Sequence, residues 1–390
     1  MPGTVLQTKL QTGSNAKSSW QIPRRHSCRS YGVRRSKYQW AHLPYLAIEE
    51  NSRAASTPDT AADCDPSATL CVVAFRHAEG DERCFAGFRA TSLQLDDTTI
   101  FARVGGTGPP LLLLHGFPET HLMWRDIATA MAPRFTVVAA DLRGYGQSGC
   151  PVSSADHSPY AKRAMAGDMV QVMKQLGFKQ FMVAGHDRGG RVAYRLALDH
   201  PDEISKIAVL DVIPTAAAWD RADARLALAF WPWSLLAQPE PLPERLIGAA
   251  PDAIVDNAIV QWGSPAEMFS AQVRDAYVEA LRDPVHIHAI CEEYRAAATI
   301  DREHDVADQA NGRRIECPLL ALWSSEGGLE TWYAREGGPL AIWRKWADSV
   351  EGSPVPGGHF FPEEHPHQTG AALSKFFEDN RGNDASNRVL

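Results

Sequence analysis

The sequence predicts an α/β fold: a mostly parallel, doubly wound sheet interrupted by a helical insertion. Three observations predict it. Short apolar runs alternate with helix-period segments, the pattern of strands joined by crossover helices. The runs are apolar throughout, as in Leu111–Leu114 and Phe181–Ala184, which suits strands covered on both faces. The alternation stops at about Ile213 and resumes at Pro318, leaving a stretch that is helical in composition.

Taken in order, residues 88–104 read as a β-hairpin with an Asp96-Asp97 turn. Gly105–Pro110 is a turn cluster. It lacks the Lys-Ser/Thr of a phosphate loop and precedes a strand, so nucleotide binding is not expected there. Strands follow at 111–114 and 135–140, a helix at 164–176, a strand at 181–184, a helix at 189–199 and a strand at 207–210. Residues 213–305 hold Pro and Trp clusters and no clear strand, placed to form a lid over the strand ends. The core resumes with a strand at 318–323, a helix at 339–349 and a last helix at 366–378. The expected domains are an α/β core at 85–212 and 306–382, a helical cap at 213–305 and a polar tail at 383–390.

Residues 1–84 differ. Positions 1–48 carry eight Lys/Arg and no Asp or Glu, and no helical or strand period is sustained, so disorder is expected. An organelle transit peptide, a basic nucleic-acid arm and a dispensable leader compete, and the leader is preferred because no aromatic-basic interleaving supports the arm. Of the net charge of −8, residues 85–390 carry −11, which argues against nucleic acid as a partner. No run of eighteen apolar residues exists to span a membrane. The seven cysteines are scattered without Cys-x-x-Cys, which fits free thiols in a reducing cytoplasm.

The chemistry centres on Gly185-His186-Asp187-Arg188-Gly189-Gly190-Arg191, directly after a strand. A sharp strand-to-helix turn lifts one side chain above a parallel sheet. Here that side chain is Asp187. A carboxylate suits displacement of a leaving group from saturated carbon, giving an alkyl ester that water can cleave. A base is needed for the water, and His359, after Gly357-Gly358, is the candidate. A second carboxylate must orient the imidazole; Asp211 and Glu326 each follow a strand end and either could reach. Oxyanion donors are expected from the amides of Arg188 and Phe117. His115 and His186 read as structural. Arg188 and Arg191, three apart at a helix start, share a face and match a substrate carboxylate. His286-x-His288 and His365-x-His367 lack partners at metal-ligand spacing, so no metal is expected. Trp219, Trp231, Trp233 and Trp262 are core residues by default, although an indole N–H in a dry pocket can solvate a halide.

These residues together resemble the haloacetate and fluoroacetate dehalogenases of the α/β-hydrolase superfamily. The likeness runs from about Phe85 to Asn380. It includes His115–Glu119, Asp141–Ser148, Gly185–Arg191 and Gly357–Phe360, and in the insertion Trp219–Arg221, Gln238–Arg245 and Cys291–Arg295. The resemblance implies the α/β-hydrolase fold, Asp187 as nucleophile, His359 as base and Asp211 as the orienting acid. It implies that Arg188 and Arg191 hold the substrate carboxylate, that Trp233 and Tyr294 donate to the halide, and that Trp262 lines the pocket. It also implies a cytoplasmic homodimer without a cofactor, acting on a small anionic substrate. One departure stands out. Defluorinating members of the family carry a His-Trp pair in the lid, and here the pair is Pro232-Trp233. Losing one donor to a developing anion costs about 3–4 kcal/mol. Chloride or bromide is therefore expected to leave better than fluoride.

An epoxide hydrolase uses the same machinery and is the alternative. It needs two lid tyrosines, and only Tyr294 of the insertion's Tyr277 and Tyr294 matches a site position. Its relatives usually carry Trp after the nucleophile, where this chain has Arg188. Ester hydrolysis would require an anhydride on Asp187. A non-catalytic receptor on this fold tends to lose a member of the triad, and none is missing here.

Overall fold

Residues 84–378 are described by the computed structural model. The apolar runs form one sheet. β1 (Arg89–Gln94) and β2 (Thr99–Gly106) are the antiparallel hairpin. β3 (Pro110–Leu114), β4 (Thr136–Ala140), β5 (Phe181–His186), β6 (Ile204–Leu210), β7 (Leu319–Ser324) and β8 (Val350–Val355) follow. The spatial order is β1-β2-β4-β3-β5-β6-β7-β8. β2 meets β4 antiparallel, and every pair from β4 across to β8 is parallel. Leu111–Leu114 of β3 and Val183–Ala184 of β5 are fully buried, as expected of central strands with helices on both faces.

The core helices that matter for the site are α1 (Arg125–Met131), α2 (Lys162–Gln175) and α3 (Asp187–Asp199). Among the described residues, only helices and turns lie between β6 and β7, from Thr215–Trp219 to Ile300–Ala310. The last of these helices crosses position 305. Its buried Asp305 accepts from Arg195 Nη2 at 2.6 Å, from the Tyr194 hydroxyl at 2.9 Å and from the Ala216 amide at 2.9 Å. One carboxylate thus pins both ends of the insertion to α3. None of the described helices is long and apolar enough to cross a membrane.

The helix expected at 339–349 ends at Trp343. The spacing misleads because Trp346 and Ala347 keep facing the core from turns, and the chain must reverse there to enter β8. The expectations for residues 1–83 and 383–390 lie outside the described residues.

The turn between β5 and α3 sets the position of everything above the sheet. Asp187 sits at φ 42°, a left-handed conformation in which a non-glycine residue costs about 1–3 kcal/mol. The backbone packs tightly around it. A Cβ on Gly185 would fall 2.2 Å from the Gly189 carbonyl oxygen, and one on Gly189 would fall 2.3 Å from that of Leu114. The Gly189 amide donates to the His115 carbonyl at 2.8 Å. Neither obstacle is a flexible side chain, so Gly189→Ala should cost about 2 kcal/mol or more in chemical denaturation. An unchanged midpoint would contradict this packing.

Candidate active site

The candidate side chains of the core sit at the carboxyl ends of parallel strands, where such sheets open toward ligands. Phe117 follows β3, Asp187 follows β5, Asp211 follows β6 and His359 follows β8. Trp233, Trp262 and Tyr294 come from the insertion. All of these residues are buried.

The structure brings His359 and Asp211 together. His359 Nδ1 lies 2.6 Å from Asp211 Oδ2, and Asp211 Oδ1 accepts from the Ser324 amide at 3.0 Å. Asp211 reaches back at φ 51°. Glu326, the other candidate, is exposed. The Phe117 amide donates to Asp187 Oδ2 at 3.2 Å. The Arg188 amide lies in the first turn of α3, where helix geometry leaves N–H groups without intrahelical partners. Burial alone would raise the Asp187 carboxyl. The charges of His359, Arg188 and Arg191 outweigh it and hold the group below the ordinary carboxylate value.

Both arginines are buried beside Asp187, and each keeps a nitrogen unpartnered. Arg188 gives Nε and Nη2 to Glu293, leaving Nη1 without a protein partner. Arg191 donates Nη1 to the Ile213 carbonyl at 2.8 Å and to Thr215 Oγ1 at 3.3 Å, leaving Nε free. A buried N–H without an acceptor is costly. Two of them beside one carboxylate describe a place for an anion.

The aromatic residues divide by what their polar atoms do. Trp219, Trp231 and Trp262 donate their indole N–H groups to Ala297 O, Asn257 Oδ1 and Ala229 O. Trp262 therefore acts as a wall, 5.2 Å from the His359 ring between centroids. Trp233 lies over both guanidinium groups, 4.4 Å from Arg191 and 5.6 Å from Arg188, and Tyr294 lies 4.0 Å from Arg188. Among the described residues, no group accepts from the Trp233 indole or the Tyr294 hydroxyl. Burial raises the Tyr294 phenol, so it stays a donor. Pro232 is buried at the start of the short helix Pro232–Leu235 and has no N–H to offer. Tyr277 gives its hydroxyl to Glu363 at 2.9 Å.

The two flanking histidines are structural, each in its own way. His115 accepts from the Leu142 amide at 3.1 Å through Nε2 and contacts the Gly116 carbonyl through Nδ1, and burial lowers its pKa. His186 joins three loops. Its Nδ1 meets Glu119 Oε2 at 2.9 Å and its Nε2 donates to the His359 carbonyl at 2.8 Å, while Glu119 Oε2 also accepts from the Gly116 amide at 3.1 Å. The His359 loop is also joined to the insertion. The His359 amide donates to the Trp262 carbonyl at 2.8 Å, and Ser264 donates to Glu364 at 2.5 Å. Among the described residues, no group of three or more His, Cys, Asp or Glu side chains could hold a metal ion.

Sequence reasoning missed Glu293 and Lys162. Lys162 is buried and donates to Glu293 Oε1, and the Tyr145 hydroxyl donates to Oε2 at 3.1 Å. For Glu293 the sequence signal was its place in the segment Cys291–Arg295, directly before Tyr294; for Lys162 there was none.

The His186 brace makes a prediction. Burial would lower this imidazole, and Glu119, with Asp187 and Asp211 behind it, raises it to about 9. A raised histidine contributes stability that is complete below its unfolded value, about 6.5, and is lost as pH rises through about 9. Relative to Glu119→Gln, the wild type should be more stable by roughly 2–3 kcal/mol below pH 6.5, with the gap closing toward pH 9–10. Denaturation curves across that range test it, and a gap independent of pH would refute the charged pair.

The alpha/beta hydrolase fold family matches residues 109–366. The chain is 42% identical to the fluoroacetate dehalogenase of Burkholderia sp over 298 residues, 76% of this chain and 96% of that one. It is 31% identical to the soluble epoxide hydrolase of Corynebacterium sp. (strain C12), covering 70% of this chain and 91% of that one. A provisionally assigned alpha/beta hydrolase from Nostoc sp PCC 7120 superposes with a TM-score of 0.72 at 46% identity, covering 75% of this chain and 99% of that one. With an Asp at the strand-to-helix turn and a helical insertion above it, the chain belongs to the alpha/beta-hydrolase family.

Proposed function

We propose that the chain is a hydrolytic dehalogenase of short 2-haloacids working through an ester on Asp187. The observation that carries this reading is the pair of unpartnered buried guanidinium nitrogens, Arg188 Nη1 and Arg191 Nε, beside Asp187. They offer a carboxylate two charge-assisted hydrogen bonds next to a nucleophile. The likeness to the Burkholderia enzyme supports the same chemistry.

In the first step Asp187 Oδ1 attacks C2 of the substrate. The carbon–halogen bond breaks, its electron pair leaves with the halide, and Trp233 Nε1–H and Tyr294 O–H solvate the departing anion. In the second step His359 Nε2 takes a proton from water, which attacks Cγ of Asp187, and Asp211 stabilises the imidazolium. Negative charge develops on Oδ2, the oxygen that already accepts from the Phe117 amide, with the Arg188 amide as second donor. Collapse expels the 2-hydroxyacid, protonated by His359, and Asp187 returns its extra proton to solvent. An epoxide substrate would want a second free tyrosine, and Tyr277 is bonded to Glu363. The homodimer and the cytoplasmic setting belong to the same proposal.

Asp187→Asn should abolish halide release from chloroacetate. A single wild-type turnover in oxygen-18 water should label the Asp187 carboxyl and leave the product unlabelled. Label in the product alone would exclude the ester. Because Pro232 supplies no donor, chloroacetate should turn over about a hundredfold faster than fluoroacetate, and Pro232→His should narrow that ratio. Equal turnover in the wild type would remove Pro232 from the account.

A further inference from the structure

We propose that Glu293 is a positioning residue for the anionic substrate, clamping Arg188 side-on so that Nη1 stays available to the substrate's carboxylate. The proposal rests on the haloacid reading above.

The clamp has specific geometry. Glu293 is buried in the helix Pro284–Ala298. Arg188 Nε donates to both of its carboxylate oxygens at 2.8 Å, and Nη2 donates to Oε1 as well. A side-on fork fixes the plane of a guanidinium, and the ring of Tyr294 at 4.0 Å covers one face of it. The carboxylate is itself held. Lys162 donates to Oε1 and Tyr145 to Oε2, and Lys162 also reaches Asp301 at 3.5 Å. The next carboxylate along the chain from Arg188 is Asp187. Without Glu293, Asp187 would compete with the substrate for the guanidinium. Arg191 has no such clamp, since its bonds go to a carbonyl and a hydroxyl. Arg188 is thus a directed donor whose charge is balanced, and Arg191 supplies the attraction.

The test compares wild type and Glu293→Gln in chloroacetate kinetics and in calorimetric binding of acetate, a non-reacting probe. The clamp predicts a KM and an acetate Kd raised about tenfold or more, with kcat changed less than about threefold. In an Arg188→Ala background, Glu293→Gln should add nothing further. A purely structural role would lower the melting temperature but leave KM and Kd alone in the folded protein, and that result overturns the proposal. If the glutamine variant does not fold, Glu293→Asp, which draws the carboxylate back, decides by the same readouts. If the wild type releases no halide from any haloacid, the haloacid reading fails, and acetate binding alone judges the clamp. Acetate binding that is indifferent to Glu293→Gln, or absent from the wild type, overturns it.

Discussion

The site depends on one backbone constraint: β5 turns into α3 within so little space that only hydrogen atoms fit at Gly185 and Gly189. That closeness puts the first turn of α3 directly over the end of β3. The Phe117 amide can then meet Asp187, and the Arg188 amide sits one residue beyond it. The left-handed backbone at Asp187 is the local cost, carried by a sheet in which the flanking segments Leu111–Leu114 and Ile207–Leu210 are fully buried.

Electrostatics is the second constraint. Bringing Asp187, Arg188, Arg191, Glu293 and Lys162 out of water is tolerable only because the charges are opposed and hydrogen-bonded in place. The opposition is uneven. Glu293 meets Arg188 with a full carboxylate, whereas Arg191 meets only neutral oxygens. The region beside Asp187 therefore keeps a positive bias and two open donors. The aromatic faces of Trp233 and Tyr294 cover the guanidinium groups without consuming those donors.

Much of this was legible in the sequence, because local chemistry announces itself locally. Glycines flanking an Asp after an apolar run imply the elbow, and paired glycines before His359 imply a loop at the same face. The choice between Asp211 and Glu326 was open from spacing alone, since both follow strands. The structure puts Asp211 Oδ2 2.6 Å from His359 Nδ1 by a turn at φ 51° that no periodicity encodes. Glu293 and Lys162 lie 131 residues apart, and Glu293 and Arg188 lie 105 apart. A charge in a charged helical segment reads as solvated until its distant partners are known. The expected helix 339–349 ran too long for a related reason. Its three-to-four spacing continued through turns, and β8 announces itself poorly because it carries Gly352 and Pro354 at the edge of the sheet.

The hydrogen bond from the His359 amide to the Trp262 carbonyl ties the two halves of the molecule mechanically. A Cβ on Gly358 would lie 2.5 Å from the Gly263 carbonyl carbon, so the two loops touch backbone to backbone with no side chain between them to act as a cushion. That corner of the insertion cannot swing away without dragging the His359 loop, and with it the imidazole beside Asp211. Opening there and the step proposed for His359 are geared together. By the proposed ester route, activated water could reach Asp187 only while this corner is shut.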